Sequence, residues 1–147
     1  MEKLMKQMDI YQKYHTKKLT KLSHVIGVPC IILAIQILLI LFSHKVIGST
    51  ILSWIILSAL MIYYFLFDIY LGLLTNFVLI SLMCLAQFLL YSDYAFILSI
   101  NLFTLGWILQ FLGHYYEGNK PAFFVNFLQM FIAPFFLMAE FVLLIKS

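Results

Sequence analysis

Long apolar runs separated by little more than turns constrain this chain more than any other feature. The stretches Val25–Phe42, Val46–Phe65, Ile69–Leu90, Ala95–Leu112 and Ala122–Ile145 are each predominantly apolar. A bilayer span takes about 20 such residues. Read as spans, these stretches leave almost nothing of the 147 residues for a soluble domain. Soluble domains are about 45–50 % apolar and about 25 % charged, whereas this chain is 65 % hydrophobic and 10 % charged. A soluble domain, a disordered chain and a nucleic-acid-binding chain are excluded on that balance. The expected fold class is all-α. It is a polytopic membrane helical bundle of about five transmembrane or re-entrant helices.

The expected domain organisation is one integral membrane domain over residues 1–147, with an interfacial segment 1–23 and a bundle 24–147. Leu4, Met8, Tyr11 and His15 recur at helical spacing, which predicts an amphipathic helix lying in the interface. The segment lacks the pattern of a cleaved signal peptide. Lys3, Lys6, Lys13, Lys17, Lys18 and Lys21 precede the first span, against Glu2 and Asp9. Such lysines hold their side in the cytoplasm and attract anionic headgroups. Pro29 is expected in the opening turns of the first span, where a missing N–H does least harm. Turns are expected at Ser43–Lys45, at Asp68, at Tyr91–Tyr94 and over 113–121. Alternating sides then gather His15, His24 and His114 at one face with Glu117 and Asp68, and leave His44 on the other. Cys30 and Cys84 lie in apolar runs and read as small hydrophobes. They make neither a zinc motif nor a disulfide framework. No internal repeat marks an inverted-repeat transporter.

Three histidines at one face suggest a metal site, since neutral imidazole suits iron, zinc, copper and nickel. The alternative is three separate interfacial histidines. His15 and His24 are nine residues apart and fall on opposite sides of a straight helix. They meet at one ion only if the chain bends around Thr16–Ser23. Trp107, Gln110, His114 and Glu117 follow at steps of three, four and three, which makes one helical stripe. In lipid such a stripe faces the bundle interior or a cavity, for chemistry or for interhelical hydrogen bonds. Gly113 beside His114 permits close approach of a helix or ligand. Glu140 is costly in hydrocarbon unless paired, protonated or metal-bound. If span 5 crosses, Glu140 lies near the far end; if it re-enters near Pro134, Glu140 returns to the histidine face. Asp68 faces the same question and is more simply a turn residue at the interface. Lys120 and Lys17 add fixed charge that would attract a carboxylate or phosphate, or simply snorkel. Membrane di-iron desaturases use paired clusters of many histidines, which four cannot build. No elbow motif suggests a Ser/His/Asp hydrolase, and no glycine-rich phosphate loop suggests nucleotide use.

Three motifs then resemble a known family. They are Tyr14-His15 with His24-Val25-Ile26-Gly27-Val28-Pro29, then Trp107-x-x-Gln110-x-x-Gly113-His114-x-x-Glu117-x-x-Lys120-Pro121-Ala122, and Pro134-x-Phe136-x-x-x-Glu140. Together they resemble the family of the yeast 2-hydroxy fatty acid dioxygenase of the endoplasmic reticulum, which includes many bacterial proteins. The resemblance covers nearly the whole chain in order. It departs at Thr20, where the family commonly carries Asn. The resemblance implies an Fe(II)-dependent dioxygenase that converts a 2-hydroxy fatty acid and O2 to the fatty acid one carbon shorter and CO2. It implies His15, His24 and His114 as iron ligands, and Tyr14, Glu117 and Lys120 as catalytic residues. Trp107, Gln110, Gly113, Asp68 and Glu140 would surround the substrate or the ligands. Partners would be the hydroxy acid, O2 and the bilayer, with no nucleic acid and no nucleotide. The expected location is a bacterial inner membrane rather than the endoplasmic reticulum, with the metal site on the cytoplasmic side. Two rivals predict different metals: a non-enzymatic scaffold or transporter subunit needs none, and a lipid hydrolase would place zinc at the same histidines.

Overall fold

The structure is a computed structural model that describes residues 17–118 and 128–146. These residues form five helices and no strand: α1 Lys18–Ile47, α2 Ile51–Phe65, α3 Ile69–Leu89, α4 Ala95–Glu117 and α5 Leu128–Lys146. Helices α1, α3 and α4 are long and apolar enough to cross a membrane, whereas α2 has 15 residues. Large side chains such as Ile55, Ile62, Phe77, Phe88 and Phe96 are exposed on the outside of the bundle, as a lipid-facing surface requires. Inside, polar groups are spent on neighbouring helices. The Gln36 amide donates to the Leu79 carbonyl, Asn76 donates to the Met61 carbonyl, and the Trp54 indole donates to the Gln87 side chain. Such bonds hold helices together where lipid supplies no hydrophobic driving force.

Several boundaries differ from the sequence expectation, each for a local reason. The first turn falls after Ile47 and not at Ser43–Lys45. Nothing in Ser43-His44-Lys45 breaks a helix, whereas Gly48 takes the left-handed conformation (φ 65°) and its N–H caps the His44 carbonyl. Only glycine enters that region at no steric cost. At the other end, α1 is continuous from Lys18, so no bend falls between Lys18 and Ser23, and Lys17 before it has an extended backbone (φ −88°, ψ 142°); Thr16 lies outside the described residues. Pro29 is therefore inside α1 rather than in its opening turns. Its missing N–H leaves the Val25 carbonyl without its helical donor. Helix α4 continues past Leu112 to Glu117 and stops at Gly118, again left-handed (φ 80°). The expected amphipathic helix lies outside the described residues except at its last positions.

Helix α5 does not run from one end of the bundle to the other. The Tyr64 hydroxyl donates to the Phe131 carbonyl, and the Phe135 ring lies 5.9 Å from both Tyr64 and Phe67. Farther along, Glu140 pairs with Lys21 at 2.5 Å. Tyr64 lies near the end of α2 with Phe67 just beyond it, and Lys21 begins α1, so these partners lie toward the end of the bundle where α1 starts. From Phe131 to Glu140 the helix advances about 14 Å, from its contact with α2 to its contact with α1. Of the two courses open for span 5, crossing and re-entry, the structure takes the one that returns Glu140 to the histidine end. The pairing with Lys21 also answers the cost of a carboxylate in an apolar setting.

Candidate functional site

The site is built where α1 and α4 pack most closely. Gly27 and Gly106 face each other across the two helices. A Cβ on Gly27 would fall 2.7 Å from Gln110 Nε2 and 2.9 Å from the Gly106 carbonyl. Small residues at such crossings let helix backbones approach one another. Gly113 has the same role near the end of α4, where a Cβ would collide with the Ser23 hydroxyl. This approach brings His24 of α1 against His114 of α4. Their ring centroids are 4.9 Å apart, edge to face. The two residues are 4 % and 5 % exposed, a burial that imidazoles accept only with partners.

The backbone of α1 fixes one of these rings. His24 Nδ1 lies 2.8 Å from the Thr20 carbonyl. A carbonyl accepts only, so Nδ1 carries the proton and Nε2 is the basic nitrogen. Metal-ligating histidines are held by just this kind of outer contact. The Ser23 hydroxyl donates to the same carbonyl at 2.7 Å. Next to the pair, the Thr20 hydroxyl lies 2.6 Å from Glu117 Oε2 and 3.0 Å from the Gly113 carbonyl. With one proton to give, it is shared between the two, and the shorter, charge-assisted contact is the stronger. The Lys17 backbone N–H also donates to Glu117 Oε2, at 3.2 Å. The Lys17 ammonium donates to the Tyr116 carbonyl. The carboxylate of Glu117 thereby ties the start of α1 to the end of α4.

An apolar cavity of about 200 Å³ runs from this pair into the bundle. Trp107, Gln110 and His114 line it from α4, at the end where His24 also reaches it. Met130, Phe131, Ala133 and Pro134 of α5 also line it. Ile35 and Ile56 line it from α1 and α2 and are also 37 % and 44 % exposed. There the cavity wall is the lipid-facing surface itself. Gln110 Nε2 is buried with no hydrogen-bond partner among the described residues.

The structure thus brings together His24, His114, Gln110, Trp107 and, through Thr20, Glu117. It sets two expected site residues apart. Asp68 is a helix cap: its carboxylate accepts the Leu71 N–H at 2.9 Å, a role its place just before α3 favours. Glu140 serves the ion pair with Lys21. Tyr14, His15 and Lys120 lie outside the described residues. Among the described residues no group of three His, Cys, Asp or Glu is placed to hold a metal. The pair of imidazoles, one already oriented by a main-chain carbonyl, nevertheless suits iron in donor type. Sequence reasoning missed Thr20 as a working residue and Lys21 as the partner of Glu140. The first has a readable signal, since Thr20 precedes His24 by four residues and so shares its helix face. The second has none, because nothing local relates positions 21 and 140.

Comparison with known proteins gives a consistent picture. Residues 1–144 match the family model described as 2-hydroxy-palmitic acid dioxygenase Mpo1-like. The chain is 37 % identical over 142 residues to the 2-hydroxy-palmitic acid dioxygenase MPO1 of Saccharomyces cerevisiae, covering 94 % of this chain and 79 % of that protein. No solved structure matches it significantly.

Proposed function

Since the chain belongs to the Mpo1-like family, we propose that it is an Fe(II)-dependent dioxygenase that shortens a 2-hydroxy fatty acid by one carbon. The observation that carries this reading is the imidazole pair at one end of an apolar cavity. That arrangement suits a molecule with a chelating head and a long apolar tail. The conversion of a 2-hydroxy acid and O2 to the shorter acid, CO2 and water balances without another reactant. It removes four electrons from the organic acid, and O2 accepts four. The reaction therefore needs no reducing nucleotide cosubstrate.

His24 and His114 would hold the iron with His15, and bound Fe(II) would supply the redox chemistry that lets O2 react. The protein's own groups do the rest. The Thr20 carbonyl keeps the His24 proton on Nδ1 and leaves Nε2 to bind. The Gln110 amide is a buried donor without a partner among the described residues, suited to a carboxylate or hydroxyl oxygen. Glu117, held by Thr20 and the Lys17 N–H, positions the two helix ends that carry the histidines. Lys120 would steer the carboxylate, and Tyr14, next to His15 in sequence, is a further catalytic candidate. The lysine-rich start of the chain supports a cytoplasmic site.

Metal analysis tests the reading. Purified full-length protein is expected to contain iron, to lose turnover on chelation and to regain it with Fe(II). Zinc with lipid hydrolysis, or no metal at all, would overturn it. A second test concerns Thr20. Thr20→Val keeps the shape and the carbonyl that holds His24 but removes the hydroxyl that holds Glu117, and activity is expected to fall about 10–100-fold, the scale of one lost hydrogen bond to a charged group. Thr20→Ser is expected to restore most of it. Equal activity in Thr20→Val and the wild type would show that Glu117 needs no hydroxyl partner.

A further inference from the structure

We propose that Leu39 and Ser53, at the far end of the cavity, set the longest acyl tail that it accepts. The proposal rests on the reading of the cavity as the acyl site. Helices α1 and α2 run antiparallel along it. On α1 the cavity residues run from His24 to Leu39 and on α2 from Ser53 to Tyr64, so Leu39 and Ser53 both lie toward the turn that joins the two helices, away from the imidazole pair. The rise of α1 from His24 to Leu39 puts about 22 Å between the two ends, the scale of an extended long-chain tail. The head of the acid belongs with the imidazoles and Gln110, because the donors farther in are already spent and the one open group there, Gln36 Oε1, is an acceptor that a carboxylate avoids. The Gln36 amide nitrogen donates to the Leu79 carbonyl, and the Ser53 hydroxyl donates to the Thr50 carbonyl one turn before it. A tail extending from the imidazole end meets Leu39 and Ser53 last, as the farthest cavity residues on α1 and α2.

Ser53 is the small member of its stripe. The neighbouring cavity positions on α2 are Ile56, Leu57 and Leu60, whereas Ser53 is buried and offers only a β-carbon and a hydroxyl. A bulky side chain at Ser53 would occupy volume that the tail would otherwise fill. Trimming Leu39 would add volume at the same end. The two changes should therefore move the length preference in opposite directions, without touching the histidines.

The test is competition binding to the full-length protein in detergent micelles. Unlabelled saturated 2-hydroxy fatty acids of graded length displace one labelled acid. The ratio of variant to wild-type affinity at each length cancels partition into the micelle. Ser53→Phe is expected to weaken binding in proportion to length, by about fourfold for each displaced methylene, with the shortest acids least affected. Leu39→Ala is expected to shift the preference to longer acids. An unchanged length profile, or an equal loss at every length in both variants, would overturn the proposal. Wild-type protein that binds no 2-hydroxy acid of any length would overturn the acyl-site reading and the proposal with it.

Discussion

Replacing His114 by alanine is expected to abolish the release of CO2 from a 2-hydroxy fatty acid. The imidazole is one of two that the structure brings edge to face at 4.9 Å, and a third protein ligand would come from His15. Loss of an outer contact typically costs about 10–100-fold in metal affinity or activity, so loss of a ligand should exceed about 100-fold. His24→Ala should do the same, and the two losses should not add, because either one dismantles the same site. The iron content of each variant should fall together with its turnover. A His114→Ala protein that keeps its iron and its activity would remove the imidazole pair from the mechanism.

The second large effect is on the helix crossing that creates the pair. In Gly106→Ala the new Cβ would lie 2.6 Å from the Ile31 side chain and 2.8 Å from the Gly27 carbonyl. A flexible side chain can turn away, but a main-chain carbonyl inside α1 cannot, so α1 and α4 must separate. Overpacking of this kind costs about 1–3 kcal/mol. It should appear as a lower midpoint of thermal unfolding in detergent. Because His24 belongs to α1 and His114 to α4, the same separation should weaken iron binding in the protein that remains folded. Unchanged stability with full iron content would show that the two helices have slack at this crossing.

What the sequence makes readable follows from the range of each interaction. Trp107, Gln110 and His114 appear as one stripe because a single helix sets their spacing, and all three do line the cavity. The left-handed glycines at 48 and 118 are equally local, and Gly48 is a better marker of the first turn than the polar residues before it. Topology also groups His24 with His114 on one face. It gives no distance between them, because that depends on Gly27, Gly106 and Gly113 admitting a second backbone. The course of α5 is open from sequence alone, since the apolar character of 128–146 suits a crossing helix and a re-entrant one equally. The choice is made by Tyr64 and Lys21, which lie far away along the chain. Asp68 misleads in the opposite way. A carboxylate at a membrane face resembles a site residue, yet the start of α3 already accounts for it.

The central claim is that this chain uses O2 alone to oxidise a 2-hydroxy fatty acid. The most direct measurement is the stoichiometry of the purified protein with such an acid labelled at the carboxyl carbon, with no reductant present. The expected result is one O2 consumed for each labelled CO2 released, with formation of the acid one carbon shorter. Release of CO2 without consumption of O2, or turnover that depends on an added reductant, would contradict it.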